Sequence, residues 1–102
     1  MAGFEIVAVD GDERTAIRCR GELDVGRCAK LIETFDEVLT GDVERVVVDL
    51  SDVTFIDSTG IGCLLHGAFK ADKLHIAFEL IPGPAVERFV KVSGLSPYLA
   101  LG

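Results

Sequence analysis

The chain has 102 residues, 49% of them hydrophobic, and a formal net charge of -7 at pH 7. This length fits one domain with a single core, and no apolar run approaches the roughly 18 residues that a membrane-spanning helix requires. We therefore expect no membrane insertion. The acidic balance argues against nonspecific binding to nucleic acids or anionic membranes, and the 7% aromatic content leaves little surface for base stacking. We therefore expect residues 1–102 to form one domain that binds another protein.

The N-terminus and the cysteines indicate a cytoplasmic chain with reduced thiols. Residues 1–5 lack the basic and apolar regions of a signal peptide, and Ala2 occupies the position where myristoylation requires glycine. Cys19, Cys28 and Cys63 are scattered, no pair has CxxC spacing, and only 2 histidines are present to complete a metal site. We therefore expect neither a metal nor a cofactor.

The N-terminal fifth of the chain predicts a β-hairpin. Residues 4–9 are rich in β-branched side chains, and residues 15–20 alternate between apolar and polar side chains. The Asp-Gly-Asp sequence at residues 10–12 lies between them and is a strong signal for a tight turn. The same acidic residues begin a calcium-loop pattern, but its later ligands are missing, which favours the turn.

A helix with an aspartate cap is predicted next. Residues 21–24 interrupt the second strand, and apolar residues then follow a helical stripe from Val25 to Leu39. Asp24 is the natural N-cap, because its side chain accepts the unpaired N–H groups of the first turn, and Gly41 is a natural C-terminal stop. Capping and a functional role remain alternatives for Asp24.

The stretch over residues 46–62 is the centre of the chain. Residues 44–50 have the β-branched composition of a buried strand, and residues 51–54 are expected to cross from that strand towards a helix. This helix is predicted over residues 58–71, since its apolar residues recur at the spacing of one helical face. They are Ile61, Leu64, Leu65 and Ala68.

A small polar tetrad, Asp-Ser-Thr-Gly at residues 57–60, lies where the strand becomes the helix. One interpretation is a helix cap. The other is a hydroxyl, that of Ser58, held at the positive end of the helix dipole, where a phosphate is well tolerated. Gly60 and Gly62 lack side chains, so a partner's backbone has room to approach this first turn. The residue pattern alone leaves both interpretations open.

The last third of the chain predicts a strand and a third helix. Residues 74–80 alternate as a strand, residues 82–84 break the chain, and Pro84 suits the first position of a helix. The apolar stripe of that helix consists of Val86, Phe89 and Val90. Gly94 ends the helix, and the apolar residues between 95 and 99 are expected to pack onto the core.

The resulting element order is β-β-α-β-α-β-α. Strands that are joined through helices form a parallel sheet, and the opening hairpin makes the sheet mixed. We therefore predict a single α/β domain with a mixed sheet of four to five strands covered by helices.

No catalytic constellation is recognisable. The Gly-Ile-Gly sequence at residues 60–62 has only part of the dinucleotide-binding fingerprint, and no Walker A pattern is present. Ser58 has no evident histidine base. Paired catalysis by Asp24 and Asp57 remains an alternative without a recognisable substrate pocket. We therefore expect no enzyme activity and no catalytic residue.

Three segments carry a family pattern. They are Gly-Glu-Leu-Asp at residues 21–24, the stretch over residues 47–62, and Arg-Phe-Val-Lys-Val-Ser-Gly-Leu at residues 88–95. In this order and with these separations they resemble the STAS domain, and more narrowly the bacterial anti-sigma factor antagonists. The connection at residues 70–74 departs from the family pattern by lacking Gly-Gly, and residues 26–28 depart from it by lacking Ala-Pro.

The resemblance implies a partner-switching mechanism. The unphosphorylated antagonist binds an anti-sigma factor that is also a serine kinase, and this binding releases a sigma factor for transcription. The kinase then phosphorylates the serine that matches Ser58, which ends the binding, and a serine phosphatase restores it. The same matching places Asp24 close to Ser58. The residues implied in partner binding are Asp24, Asp57, Ser58, Thr59, Gly60 and Gly62.

A constitutive STAS adaptor is the alternative function. Such a domain would bind a transport ATPase or a larger signalling assembly without being phosphorylated. A serine at the position of Ser58 favours the switched antagonist. Saturable nucleotide binding by the isolated domain would instead indicate a third class, a weak nucleotide binder or enzyme.

Overall fold

The computed structural model describes residues 5–10, 14–40 and 43–93. Its helices and strands follow the predicted order. They are β1 (Glu5–Asp10), β2 (Arg14–Leu23), α1 (Val25–Val38), β3 (Arg45–Ile56), α2 (Ser58–Lys73), β4 (Ala77–Pro82) and α3 (Pro84–Ser93). Most of the predicted turn at residues 10–12, the stop at Gly41 and all predictions from Gly94 onward lie outside the described residues.

The four strands of the described chain form one sheet in the order β1-β2-β3-β4. β2, β3 and β4 are parallel, whereas β1 is antiparallel to β2, with Glu5 opposite Arg20 and Asp10 opposite Thr15. The single α/β domain is confirmed. The parallel part, however, has only three strands, and the predicted number of four to five is reached only when the antiparallel β1 is counted.

β2 and β3 are longer than the sequence predicts. β2 continues to Leu23 through the predicted interruption, and β3 continues to Ile56 through the predicted crossing. The two extensions pair with each other, with register shifts near Gly21, and end with Leu23 opposite Ile56. Both predicted breaks are therefore wrong, because pairing between strands overrides an unfavourable local composition.

The core lies between the sheet and the helices. Phe35 of α1 is fully buried, and its ring lies at 64° to that of Phe78, with the centroids 5.8 Å apart. α1 and α2 approach closely at this point, because a Cβ built on Gly67 of α2 would lie 2.6 Å from the Phe35 ring. Large and small residues therefore interdigitate across the two helices.

The buried face of α2 is rotated from the predicted one. Ile61 and Leu64 are buried as expected, but Leu65 and Ala68 are only half-buried. Small residues occupy the rest of the face, because α1 and the sheet lie too close for larger side chains. The buried residues of α2 are Gly60, Ile61, Cys63, Leu64, Gly67 and Ala71.

The connection from α2 to β4 is tight. α2 continues to Lys73 and β4 begins only at Ala77, so the boundaries predicted at residues 71 and 74 are both displaced. His75 has a φ of 58°, in the left-handed region that favours glycine, and the Ile76 N–H donates to the Ala71 carbonyl oxygen at 2.8 Å. This reversal replaces the glycine turn that the sequence lacks.

α3 begins at Pro84 as predicted, since the fixed φ and missing N–H of proline suit the first helical position. Val86 and Val90 are fully buried, and Phe89 packs half-buried against the core. This stripe packs α3 mainly against β3, on the strand that leads to Asp57.

Candidate functional site

The predicted functional residues meet where two parallel strands end side by side. Leu23, the last residue of β2, lies opposite Ile56, the last residue of β3. Asp24 and Asp57 follow directly, so that both leave the sheet at the same edge. We call this region the aspartate edge and define it as Asp24 together with residues 57–60.

Both aspartates cap helices with nearly the same backbone geometry. Asp57 has φ -120° and ψ -174°, and its Oδ1 accepts a hydrogen bond from the Gly60 N–H at 2.9 Å. Asp24 has φ -125° and ψ -172°, and its Oδ1 accepts from the Gly26 N–H at 3.1 Å. The capping interpretation is therefore confirmed for both residues, and their functional roles remain predictions.

Ser58 and Thr59 are the first two residues of α2, and both are exposed. The unpaired N–H groups of the first helical turn stabilise a negative group placed beside them. Asp57, half-buried next to Ser58, brings a negative charge to the same place. The Ser58 side chain is thus accessible. A negative charge added to it would be attracted by the N-terminus of α2 and repelled by Asp57.

Asp24 forms an ion pair that the sequence analysis missed. Nη1 of Arg27 lies 2.8 Å from Oδ2 of Asp24, and the two side chains are 37% and 24% exposed. The hydrogen bond from Arg27 is the main reason why the pKa of Asp24 lies below its ordinary value, and the guanidinium charge adds to the effect. The i, i+3 spacing of an acid and a base at a helix start is the signal that could have revealed the pair.

The two glycines of the first turn of α2 differ in their surroundings. A Cβ built on Gly60 would lie 2.6 Å from the Leu23 carbonyl oxygen, and Gly60 is buried. A glycine is therefore required at this position by packing against β2. The expectation that a partner's backbone can approach the chain at Gly60 is wrong. Gly62 is exposed and has open space where a Cβ would be, so a partner's backbone has room to approach at Gly62.

Two buried thiols contact the main chain of the aspartate edge from the core side. Sγ of Cys28 lies 3.5 Å from the Thr59 carbonyl oxygen, and Sγ of Cys63 lies 3.1 Å from that of Gly60. Burial raises the pKa of Cys63, and hydrogen bonding to Cys28 raises it further. Both thiols donate to main-chain carbonyl oxygens of the first turn of α2. The apolar stripe predicted from Val25 to Leu39 includes Cys28, which is buried as expected, whereas no sequence pattern identified Cys63.

An apolar groove of about 310 Å³ borders the aspartate edge, between the end of β3 and α3. Phe55 is 46% exposed there, which is high for a phenylalanine. The residues that line the groove are Thr54, Phe55, Ile56, Ala85, Arg88 and Phe89. Sequence reasoning missed this surface because it treated the end of β3 as a connection.

The remaining polar groups of the described chain offer little further chemistry. Nε2 of His66 lies 3.7 Å from Oδ1 of Asp36, on the outer surface between α1 and α2. Across the described ranges, no three His, Cys, Asp or Glu side chains are grouped so as to hold a metal ion. The helices described above include none that is long and apolar enough to cross a membrane.

The fold and the aspartate edge together define a small α/β domain of the STAS class. The family described as "Mlab, STAS domain" matches residues 7–100, so the chain belongs to this STAS family. The resemblance found in the sequence is therefore confirmed.

Solved structures of anti-sigma factor antagonists share the fold. An antagonist from Mycobacterium paratuberculosis is 26% identical, with a TM-score of 0.81 over 97% of this chain and 85% of the other. The antagonist SpoIIAA in its unphosphorylated form is 22% identical, with a TM-score of 0.76 over 98% of this chain and 88% of the other. The Bacillus cell fate determinant SpoIIAA in its phosphorylated form is 22% identical, with a TM-score of 0.72 over 98% and 91%.

Proposed function

We propose that this chain is a cytoplasmic anti-sigma factor antagonist that is switched by phosphorylation of Ser58. The unphosphorylated form binds an anti-sigma factor with serine kinase activity and thereby releases a sigma factor. The observation that carries the proposal is the exposed Ser58 at the N-terminus of α2, directly after the capping residue Asp57 and at the edge of the sheet where Asp24 also follows its strand. Membership of the STAS family and the likeness to an antagonist from Mycobacterium paratuberculosis support it.

The switching reactions use groups that this chain and its partners supply. The Ser58 oxygen attacks the γ-phosphorus of ATP bound to the kinase, so that an O–P bond forms, ADP leaves, and the hydroxyl proton passes to a base of the kinase. A serine phosphatase reverses the state with water, which releases inorganic phosphate and restores the hydroxyl. In both reactions this chain is the substrate, and the catalytic groups belong to the partner proteins.

The partner surface follows from what is exposed around Ser58. Thr59 and Gly62 lie on the outer side of the first turns of α2, and Gly62 leaves room for a partner's backbone. The groove at Phe55 adds apolar area that a partner can bury. We propose that Asp24 and residues 57–60 form the polar part of this contact. The buried Gly60 packs the first turn of α2 against β2.

Charge is the physical basis of the switch. A phosphoryl group adds about -1.5 to -2 charges near pH 7, next to Asp57 and at the same edge of the sheet as Asp24. A partner surface that fits a neutral hydroxyl then meets a larger dianion, and the complex weakens by roughly 2 kcal/mol or more through repulsion and desolvation. The helix dipole stabilises the same dianion within this chain, so that binding is lost while the fold is kept.

The test is phosphosite mapping by peptide mass spectrometry on the chain purified from its own cells. We expect phosphate on Ser58, which Ser58→Ala removes. Ser51→Ala is the matched control, because it deletes another exposed serine hydroxyl, on β3 and outside the aspartate edge, and should leave the phosphate on Ser58 in place. The affinity of the anti-sigma factor for the two purified forms should then differ at least tenfold.

The opposite result would favour the alternative function. A chain that carries no phosphate during growth, starvation and stress, and that still binds one partner throughout, would be a constitutive adaptor. The similarity to antagonists does not favour that alternative.

A further inference from the structure

Arg27 places a positive charge at the aspartate edge, where the proposed switch adds negative charge. Its guanidinium is held by Asp24 at 2.8 Å, on the first turn of α1. The pair is partly open to solvent, since 37% of the Arg27 side chain is exposed. The ion pair therefore fixes Arg27 at the edge without burying it, and a new anion can compete for it.

The first turns of α1 and α2, which carry Arg27 and Ser58, are in contact with each other. Cys28, the residue after Arg27, has its Sγ 3.5 Å from the carbonyl oxygen of Thr59, the residue after Ser58. The strands that lead into both helices also end in register. Arg27 and Ser58 each precede one residue of this contact, so that the distance between their backbones is short enough for a long arginine side chain to span.

A phosphoryl group is a stronger partner for Arg27 than a carboxylate is. It carries about two negative charges, and the planar fork of an arginine binds two of its oxygens at once. We infer that phosphorylation makes Arg27 change partners, from the carboxylate of Asp24 to the phosphoryl group on Ser58. This inference rests on the proposed function, and it gives Arg27 the role of counter-ion in the phosphorylated form.

The exchange would alter the surface twice. The phosphoryl group adds its own negative charge, and Asp24 loses the cation that compensates its carboxylate in the unphosphorylated form. A partner that contacts Asp24 is therefore affected both by the phosphoryl group and by the loss of the Arg27 cation from Asp24. Arg27 in this way both stabilises the phosphorylated chain and transmits its state to Asp24.

The test uses a chain in which phosphoserine is installed at position 58 by genetic encoding, so that no kinase is needed. The second pKa of the phosphate is measured by phosphorus NMR in the parent chain and in variants. Loss of a nearby cation should raise this pKa by about half a unit in Arg27→Gln, and Arg27→Lys should raise it less. Arg45→Gln is the charge-matched control and should leave the pKa of the phosphate unchanged. Arg45 lies at the opposite end of β3, where its Nη1 is 3.3 Å from Oε1 of Glu79.

A second variant distinguishes the two arginines near this edge. Arg88 lines the groove on the α3 side, and Arg88→Gln should change the phosphate pKa less than Arg27→Gln does. A phosphate pKa that Arg27→Gln moves no more than Arg45→Gln or Arg88→Gln does would overturn the inference.

The exchange itself is tested at Asp24 by carbon NMR of its carboxyl group. Phosphoserine should raise the pKa of Asp24 more in the parent chain than in Arg27→Gln, because the phosphate charge acts in both chains but only the parent chain loses the pairing with Arg27. A rise in the pKa of Asp24 that is equal in the two chains would overturn the exchange of partners even if the phosphate responds to Arg27. Because the phosphoserine is encoded, these results do not depend on a kinase.

Failure of the proposed function would be seen in different experiments. Phosphosite mapping would find Ser58 unphosphorylated in cells, or the two forms of the chain would bind the anti-sigma factor with the same affinity.

Discussion

At the scale of single residues, Asp57 combines a helix cap with a charge beside Ser58, and two substitutions separate these roles. Asp57→Ala should lower the free energy of unfolding by about 1 kcal/mol, because the Gly60 N–H loses its acceptor. Asp57→Asn keeps an oxygen that can cap α2 but removes the charge. Urea unfolding should therefore place Asp57→Asn close to the parent chain. Equal losses in both variants would contradict the capping role.

The ion pair of Asp24 predicts a dependence of stability on pH. Because the pKa of Asp24 is lowered in the folded chain, its stabilising effect is fully present above the unfolded value of about 3.9. The effect is lost as the pH falls through the lower folded value. Arg27→Gln should raise the pKa of Asp24 towards its ordinary value and make stability less sensitive to acid, as NMR titration and unfolding below pH 5 would show. A pKa of Asp24 that Arg27→Gln leaves unchanged would contradict this account.

The residues that sequence reasoning missed at this scale depend on contacts between elements. Sequence periodicity assigns Cys28 to a core face, but only the packing of α1 on α2 shows that its thiol reaches the Thr59 carbonyl oxygen. Asp24 and Asp57 were identifiable as caps because capping is a local property of the chain. Their position side by side required the register of β2 and β3.

At the scale of elements, α2 carries two glycines whose replacement should have opposite effects. Gly67→Ala should lower the free energy of unfolding by about 1–3 kcal/mol, because the added methyl group meets the buried Phe35 ring. Gly62→Ala should raise it by up to about 1 kcal/mol, since alanine favours helix and the site is open. Chemical unfolding of the two variants checks both signs. If Gly62→Ala also weakens partner binding, the approach of a partner's backbone at this position is supported.

The elements were predicted best where local signals decide them. The starts of α1, α2 and α3 each follow an aspartate or begin with a proline, and all three were placed correctly. The ends of β2 and β3 were wrong, because exposed polar residues such as Ser51 and Asp52 conceal a strand that is held by its neighbour. Pairing between strands distant in the chain cannot be derived from either segment alone.

At the scale of the whole molecule, the phosphorylated chain should keep its fold. The added dianion lies at an exposed helix N-terminus, where the dipole of α2 favours it, and no buried group has to move to make room. Far-ultraviolet circular dichroism of the chain with phosphoserine at position 58 should therefore match that of the parent. Loss of most of the secondary structure would contradict a switch that works through surface charge.

The overall topology could be derived from the sequence because each connection is short and each helix amphipathic. The order of elements and the mixed sheet follow from these patterns. The groove beside Phe55 could not be derived, because it exists only where α3 packs against the end of β3. The polar part of the candidate site was thus visible in the sequence, and its apolar border was not.

The buried thiols beneath Ser58 have a practical consequence. Cys28 and Cys63 are free but buried, so an alkylating reagent reaches them only when α1 and α2 separate at their first turns. The rate at which Cys28 and Cys63 are alkylated under native conditions, separated from that of the buried Cys19 by peptide mass spectrometry, therefore measures how often this part of the molecule opens. The chain thus carries two cysteines that report local opening next to the proposed modification site. Comparing that rate with and without phosphoserine at position 58 would show whether the modification tightens or loosens the domain from within.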